Sequence, residues 1–379
     1  MKKRKLFILN LILVFIICSL NYFQLYSNSS LNNEMIIHYI DVGQGDCILI
    51  QVNEKNLLID SGSSSNRNEL LNYLTKLKIK KFDYIIATHP HEDHIGNMDT
   101  IIKRFDVDKF YSPKVTHPSI CFENMVNALI DKSLKINILA KDASKINLGE
   151  NTNVEIFSPL KNMISDNYND YSSVIKLTFH NNSFLFTGDA EVYTENQLLS
   201  DNIDLKSDII KIGHHGSKTS TSYNFLHEVN PSFAIISVGE NNTYDHPSMD
   251  TLLNLELMNI QTYRTDLNGN IIFTSDGKTL SFGDGSVDGG GDATPCTSQS
   301  VPTNTTGAGS VNGFGTATST SVPQSVNITY VLNTNTHKIH KPNCRSVSQM
   351  KEKNKKTYVG KIADLISQGY SPCKICNPA

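Results

Sequence analysis

The chain carries three histidines and one aspartate within six residues, in the sequence His-Pro-His-Glu-Asp-His at residues 89–94. This cluster directly follows residues 82–88, an apolar run that predicts a strand. Where a strand ends, the backbone leaves regular structure, so alternate side chains can converge on one point. Neutral imidazole and carboxylate groups are the usual ligands of zinc-like ions. The spacing therefore predicts a metal site built from His89, His91, Asp93 and His94, rather than a polar loop that is rich in histidine by chance.

Residues 35–282 alternate strand-like apolar runs with turn signals. Residues 69–78 show the leucine spacing of a helix, and residues 180–182 mark a hairpin between strands at 174–179 and 183–187. Further strands are predicted at residues 35–40, 47–52, 56–60, 82–88, 209–212 and 233–238. Helices between sheet strands are typical of an α/β fold.

The N-terminus has the layout of an export signal. Residues 2–5 are all basic, and residues 6–20 are almost wholly apolar. A helix of 15 residues spans about 22 Å, which is short of the roughly 30 Å hydrocarbon core of a bilayer. Residues 1–30 are therefore predicted to be a cleaved signal, with a retained N-terminal anchor as the alternative. Either reading places the protein outside the cytoplasm, secreted or anchored to the membrane.

Residues 283–325 are rich in Gly, Ser, Thr, Pro and Asn and have almost no bulky apolar residues. This composition predicts a flexible linker, after which residues 326–379 form a small module. His340 and Cys344 precede the Cys-Lys-Ile-Cys sequence of Cys373 and Cys376, a pattern that fits a closed structural zinc site. A disulfide between Cys373 and Cys376 is the alternative in an exported protein.

The module is strongly basic, whereas the whole chain has a formal net charge of only -3. Its two acidic residues are Glu352 and Asp364. Its nine basic residues are Lys338, Lys341, Arg345, Lys351, Lys353, Lys355, Lys356, Lys361 and Lys374. This excess of positive charge suits a polyanion such as DNA. A solvated face, or attachment to an anionic cell-wall polymer at the cell surface, remains open.

Several motifs accompany the histidine cluster in a distinctive order. They are Asp-Val-Gly-Gln-Gly-Asp at 41–46, Leu-Ile-Asp-Ser-Gly at 58–62, Thr-Gly-Asp at 187–189, Gly-His-His-Gly-Ser at 213–217 and Asn-Thr-Tyr-Asp-His-Pro at 242–247. Through them, residues 35–282 resemble the metallo-β-lactamase superfamily, and more closely the extracytoplasmic hydrolase domain of ComEC-type competence DNA-uptake proteins. The resemblance implies an αβ/βα sandwich and a hydrolase that holds two divalent ions, zinc or manganese.

The same resemblance implies ligands for both ions. His89 and His91 would serve one metal, and Asp93 and His94 would serve the second. Asp189, in the Thr-Gly-Asp motif, looks like the strand-end aspartate that bridges the two.

His246 looks like the late histidine that completes the second site, although Asp245 stands where such proteins usually have glycine. Many members place one more histidine on the first metal, between the histidine cluster and the bridging aspartate. Only His117 and His180 lie in that interval, and neither matches a motif. We therefore expect surface roles for both.

Other polar residues near the predicted strand ends have roles that the sequence leaves open. His215 follows a predicted strand and would bind the phosphate or protonate the leaving oxygen, with Asp93 as the second catalytic group. Asp60 would orient a ligating histidine or simply accept backbone N–H groups in a turn. Asp41 and Asp46 would shape a tight loop. The Gly-x-Gly between them lacks the third glycine of a nucleotide fingerprint, so no nucleotide cofactor is expected.

The C-terminal segment resembles the N-terminal zinc module of Ada-type DNA-repair proteins through its Pro-x-Cys element and residues 370–378. His340 stands where those proteins have a methyl-accepting cysteine, so the zinc would be structural only. Together these features predict an extracellular nuclease or phosphodiesterase acting on DNA, linked to DNA uptake. Two alternatives remain: a hydrolase of another anionic ester or a lactam, and a non-catalytic surface DNA-binding protein with a vestigial hydrolase domain.

Overall fold

The computed structural model describes residues 34–142, 145–201, 203–283, 328–342, 344–360, 365 and 370–373. These residues form two compact units. The larger unit contains residues 34–246 and 261–283, and the smaller contains residues 247–260 and the described residues from 328 onward. The predicted export signal and residues 284–325 of the predicted linker lie outside the described residues.

The larger unit contains fourteen strands and seven helices among its described residues, apart from short 3-10 turns. The strands are β1 (Met35–Tyr39), β2 (Ile48–Val52), β3 (Lys55–Ile59), β4 (Lys81–Ile86), β5 (Asp106–Ser112), β6 (Ile136–Ile138), β7 (Thr152–Ser158), β8 (Val174–Phe179), β9 (Asn182–Phe186), β10 (Ile209–Lys211), β11 (Phe233–Ile236), β12 (Gln261–Arg264), β13 (Ile271–Ser275) and β14 (Leu280–Gly283). The helices are α1 (Arg67–Lys76), α2 (Glu92–Ile95), α3 (Met98–Arg104), α4 (Ile120–Asp131), α5 (Val192–Ser200), α6 (Tyr223–Val229) and α8 (Thr265–Asn268), whereas α7 (Met249–Leu257) belongs to the smaller unit.

Two sheets pack face to face in the larger unit. One has the strand order β14-β13-β1-β2-β3-β4-β5-β6, and the other has the order β12-β11-β10-β9-β8-β7. Alternating side chains explain the layers: in β2, Ile48 and Ile50 enter the core shared by both sheets, whereas Leu49 packs in a second core with residues of α1, α3 and α4. Helices thus cover the outer face of the first sheet. This arrangement confirms the αβ/βα sandwich.

The predicted elements agree with the structure to within a few residues. The helix expected at 69–78 begins and ends two residues earlier, and β8 pairs with β9 in the expected hairpin, with Phe179 opposite Asn182. His180 occupies the hairpin turn with a φ of 50°. The apolar run before the histidine cluster is β4, which pairs in parallel with β3 and β5.

The smaller unit contains the four-stranded sheet β17-β15-β16-β18. Its elements are α7 (Met249–Leu257), β15 (Ile328–Asn333), β16 (Lys338–His340), α9 (Arg345–Ser348), β17 (Lys355–Gly360) and β18 (Ser371–Pro372). Tyr330, Leu332, Ile339 and Leu365 form its core, and Leu253 of α7 packs against them. The segment Pro247–Ile260, expected in the hydrolase domain, therefore groups with the C-terminal module. Across the described residues, no helix combines the length and apolarity needed to cross a membrane.

Candidate metal centre

The predicted ligands come from the carboxyl ends of neighbouring parallel strands. The histidine cluster follows β4, Asp189 follows β9, and His215 follows β10. Strands β3 and β4 are parallel in the first sheet, and β9 and β10 are parallel in the second. Carboxyl ends of parallel strands meet at one edge of a sheet, where ligand sites form. The packing of the two sheets therefore brings both sets of strand ends to one place.

Asp93, His94, Asp189 and His215 form a cluster whose donor atoms face one another. Asp93 Oδ2 lies 3.2 Å from His215 Nε2, and His94 Nε2 lies 3.2 Å from Asp189 Oδ1. Asp189 Oδ1 is also 3.5 Å from His215 Nε2. Two ligands held about 2.1 Å from a tetrahedral ion lie roughly 3.4 Å apart. These separations therefore fit four donors around one divalent ion.

His89, His91 and Asp189 form a second cluster beside the first. His89 Nε2 lies 3.0 Å from His91 Nδ1 and 3.7 Å from Asp189 Oδ2. Asp189 thus presents Oδ2 to this pair of histidines and Oδ1 to the other cluster. A carboxylate placed in this way is able to bridge two ions.

Buried polar atoms without partners support a metal at this place. His94 Nε2 and Asp189 Oδ1 are both buried, yet neither makes a hydrogen bond within the described part of the chain. An unsatisfied buried polar atom costs about 1–3 kcal/mol. A cation that accepts electron pairs from both atoms removes that cost, so these residues fit a divalent ion.

Asp60 supports His94 from the far side of the imidazole. Its Oδ2 lies 2.7 Å from His94 Nδ1, and it also accepts hydrogen bonds from the Thr88 hydroxyl at 2.6 Å and, through Oδ1, from the Thr88 N–H at 2.8 Å. The contact leaves His94 Nε2 facing the cluster. This is the geometry that the orienting role of Asp60 requires, because a carboxylate on one ring nitrogen fixes the tautomer and aims the other.

The turn at residues 213–216 places His215 in the cluster. His214 and His215 have φ values of 49° and 53°, a left-handed backbone conformation that residues other than glycine rarely adopt. His215 Nδ1 lies 2.9 Å from the Ser237 carbonyl oxygen, so Nε2 is directed towards Asp93. Two consecutive strained residues persist only where the surroundings fix them, and such strain concentrates at functional sites.

A buried ion pair beneath His215 was not anticipated from the sequence. Lys211 Nζ lies 2.5 Å from Asp46 Oδ2, and both side chains are almost wholly buried. Asp46 Oδ1 is in turn 3.4 Å from His215 Nδ1. The sequence does contain a signal, since Lys211 interrupts the apolar run at 209–212 and a buried lysine needs a partner.

Glycine at position 45 allows the loop of Asp46 to reach the histidine cluster. A Cβ on Gly45 would lie 2.2 Å from the Asp93 carbonyl oxygen, and that same oxygen accepts the Asp46 N–H at 3.1 Å. Gly45 also has a φ of 142°, which side chains disfavour. The tight loop therefore does more than turn the chain, because it fixes Asp93 and buries Asp46.

The histidines and carboxylates of the centre shift one another's pKa values. Burial alone would lower the pKa of His215, but the carboxylates of Asp189, Asp46 and Asp93 outweigh it and raise that pKa to about 10. Burial would raise the pKa of Asp93, but His94 and His215 hold it well below its usual value. These carboxylates favour positive charge at this place, and a divalent ion bound there would displace the proton from His215, since a ligating imidazole is neutral.

His246 lies beside the clusters but joins none of the ligand sets found among the described residues. Its ring is 5.5 Å from that of His214 and 6.5 Å from that of His215. The Asn242 side chain braces its loop by donating to the His246 carbonyl at 2.6 Å and accepting the His246 N–H at 3.1 Å. The structure thus places His215, rather than His246, among the donors, and the metal-binding role of His246 stays a prediction.

His117 lies at the rim of the centre, which the sequence did not indicate. Its ring is 5.9 Å from that of His91 and 4.5 Å from that of Tyr168, which also contacts His91 at 5.9 Å. His214 Nδ1 lies 3.3 Å from Glu191 Oε1, and its Nε2 lies 3.8 Å from Asp189 Oδ2. His180 remains in its hairpin turn.

The smaller unit brings together three of the four predicted zinc ligands. His340, Cys344 and Cys373 are buried, and their donor atoms lie within 4.8 Å of one another. Both ring nitrogens of His340 lack a hydrogen-bond partner in the described part of the unit. Cys376 lies outside the described residues, and with it the alternative disulfide.

Two imidazole–carboxylate clusters that share one aspartate, at strand ends of an αβ/βα sandwich, define a metal-dependent hydrolase. Residues 40–240 match the model of the metallo-beta-lactamase superfamily, and the chain belongs to this superfamily.

The chain is also similar in sequence to curated proteins named for competence and for exodeoxyribonuclease activity. ComE operon protein 3 of Bacillus subtilis is 30% identical over 276 residues, which cover 67% of this chain and 35% of that protein. Competence protein ComA of Neisseria gonorrhoeae is 25% identical over 243 residues, covering 64% and 32%. Exodeoxyribonuclease YycJ of Bacillus anthracis is 30% identical over 70 residues, covering 18% and 26%. The chain thus spans about a third of the length of the first two relatives.

Proposed function

We propose that this protein is a two-metal phosphodiesterase that cuts DNA outside the cytoplasm. The observation that carries the proposal is the sharing of Asp189, whose two oxygens face two separate ligand sets. Two divalent ions would supply a positive charge for an anionic phosphodiester and an acidic water as the nucleophile. The similarity to proteins named for competence and for exodeoxyribonuclease activity favours DNA among anionic substrates.

The protein's own side chains would divide the remaining work. Asp93, His94, Asp189 and His215 would hold one ion, and His89, His91 and Asp189 the other. Asp60 and Asp46 would orient His94 and His215 from behind. The His246 ring lies 6.5 Å from that of His215, close enough to the cluster of Asp93, His94, Asp189 and His215 to contact a bound phosphate or to carry a proton to the leaving oxygen. Its role in this proposal is therefore catalytic, and His215 takes the ligand position first assigned to His246.

The smaller unit would hold one structural zinc and retain the nucleic acid. His340, Cys344 and Cys373 are already gathered for the ion, and Cys376 would be the fourth ligand. The excess of basic residues in this segment suits a polyanion. Because the smaller unit is covalently part of the same chain, it would raise the local substrate concentration without new contacts in the catalytic site.

Paired alanine variants of His215 and His246 test the proposed function. We expect His215→Ala to lose one bound ion and most of its cleavage of labelled DNA. We expect His246→Ala to keep both ions and still lose about 100-fold or more in rate, the usual contribution of a proton-transfer group. Metal content by elemental analysis and cleavage of single- and double-stranded DNA with Mn²⁺ or Zn²⁺ provide the readouts.

His227→Ala is a matched control, since this histidine is exposed on α6 and its ring lies 6.2 Å from that of Tyr223. Loss of metal from His246→Ala, with full metal in His215→Ala, would return the ligand role to His246. Tight DNA binding by the metal-loaded wild-type protein without any turnover would overturn the enzymatic proposal in favour of a binding protein.

The structural zinc gives a separate prediction. Cys373→Ser should remove one zinc equivalent and expose the core around Tyr330 and Ile339, because a unit of this size needs a metal to fold. Native mass spectrometry counts the metal, and limited proteolysis reports the folding of the unit. Cys121→Ser, in the other unit, serves as the control. Unchanged zinc content in Cys373→Ser would contradict the assignment.

A further inference from the structure

A lysine-lined groove lies at the carboxyl ends of β5 and β6 in the larger unit. The cavity has a volume of about 720 Å³. Its lining includes Lys109, Lys114, Lys145 and Lys161, together with Tyr111 and Asn137, and no carboxylate among the described residues. Four positive charges that line one groove create a positive potential there, and bound negative charge lowers the electrostatic energy of their mutual repulsion. The groove therefore suits a ligand with several negative charges.

Internal contacts fix the groove wall. The Tyr111 hydroxyl donates to the Lys145 carbonyl oxygen at 3.2 Å, which ties this segment to β5. Lys109 Nζ lies 5.8 Å from the centre of the Tyr84 ring. Lys109 and the backbone of Lys145 are therefore held in place by contacts with residues of the sheet edge.

Two short chain segments connect the groove to the metal centre. Lys114 is followed three residues later by His117, and Lys161 is followed seven residues later by Tyr168. The rings of His117 and Tyr168 contact each other, and both contact His91, which belongs to the ligand cluster of His89, His91 and Asp189. The aromatic pair thus lies where the groove segments meet the metal centre.

We infer that this groove binds the phosphate backbone of a single DNA strand and leads it to the metal centre. The inference rests on the proposed function and adds the path of the substrate. A positive groove that follows the backbone, with aromatic rings beside it, is the usual means of holding single strands without base recognition. Lysines act as point charges for phosphates, whereas the unpaired bases find the aromatic rings.

A triple variant, Lys109→Gln, Lys114→Gln and Lys161→Gln, tests the groove in the full, metal-loaded chain. The control is Lys76→Gln, Lys78→Gln and Lys80→Gln, which removes the same charge from exposed positions before the amino end of β4. We expect the ratio of kcat/KM for a single-stranded 20-mer to that for thymidine 5′-p-nitrophenyl phosphate to fall about tenfold or more in the groove variant only. The slope of the logarithm of the DNA-binding constant against the logarithm of the salt concentration should become less steep by about 0.7 per lost phosphate contact.

Lysine footprinting gives an independent readout. A phosphorothioate 20-mer keeps its charge and resists cleavage, so it should protect the groove lysines from acylation and leave the control lysines reactive. If both substrates are cut and the groove variant behaves as the control does, the groove inference fails while the proposed function stands. If neither substrate is cut, the proposed function fails, and protection by the 20-mer alone decides whether the groove binds DNA. Stronger protection by duplex DNA would overturn the assignment to a single strand.

Discussion

Asp189→Ala will empty both halves of the metal centre, because this one residue faces both ligand sets. Its Oδ1 lies 3.2 Å from His94 Nε2, and its Oδ2 lies 3.7 Å from His89 Nε2. Two metals contribute several kcal/mol to phosphodiester cleavage, and about 4 kcal/mol corresponds to a thousandfold in rate. We therefore expect cleavage of DNA and of a small phosphodiester to fall by about a thousandfold or more, with metal content near zero.

Two matched variants sharpen this result. Asp189→Asn keeps the shape of the side chain and removes its charge, so it should bind less metal than the wild type but fold normally. Asp108→Ala removes an exposed carboxylate that pairs with Lys81, and it should retain both ions. If Asp189→Ala lost only one ion, the bridging assignment would be excluded, and the two clusters would have to be filled independently.

Lys211→Met will destabilise the larger unit by about 3–5 kcal/mol, because it leaves the Asp46 carboxylate buried without its counter-ion. Lys211 is fully buried and Asp46 nearly so. Lys211 also lies within 3.4 Å of the Gly188 carbonyl oxygen, next to Asp189, so the variant should weaken metal binding as well. Urea unfolding in the presence of a chelator measures the stability without the contribution of bound metal.

The double variant Asp46→Asn with Lys211→Met should recover part of that loss, since it buries no net charge. Lys176→Met is the control: Lys176 is also buried, but its partner Asp204 is 79% exposed on its side chain and stays solvated when the lysine is lost. We expect less than about 1 kcal/mol for that variant. Additive losses from Asp46→Asn and Lys211→Met would show that the two side chains do not act as a pair.

The strands and helices near the site follow from local patterns. Apolar runs of five to seven residues predicted β1 to β4, because these strands are buried on both faces, by the second sheet on one side and by helices on the other. The histidine cluster, Asp60 and the Thr-Gly-Asp turn were recognisable because each comes directly after such a run. The unit that contains α7 was not recognisable, since residues 247–260 resemble any amphipathic helix and their partners lie far along the chain.

The sequence by itself determined the chemistry available: imidazoles and carboxylates at strand ends, and therefore a metal site. The tertiary structure alone decided which of them meet. His215 joins Asp93, because β10 lies beside β9 and a left-handed turn directs its ring inwards. Asp46 and Lys211 pair beneath it, although Asp46 lies in the loop before β2 of one sheet and Lys211 lies in β10 of the other. Spacing along the chain carries information about neighbours on one element, whereas contacts between two packed sheets depend on their strand order and register.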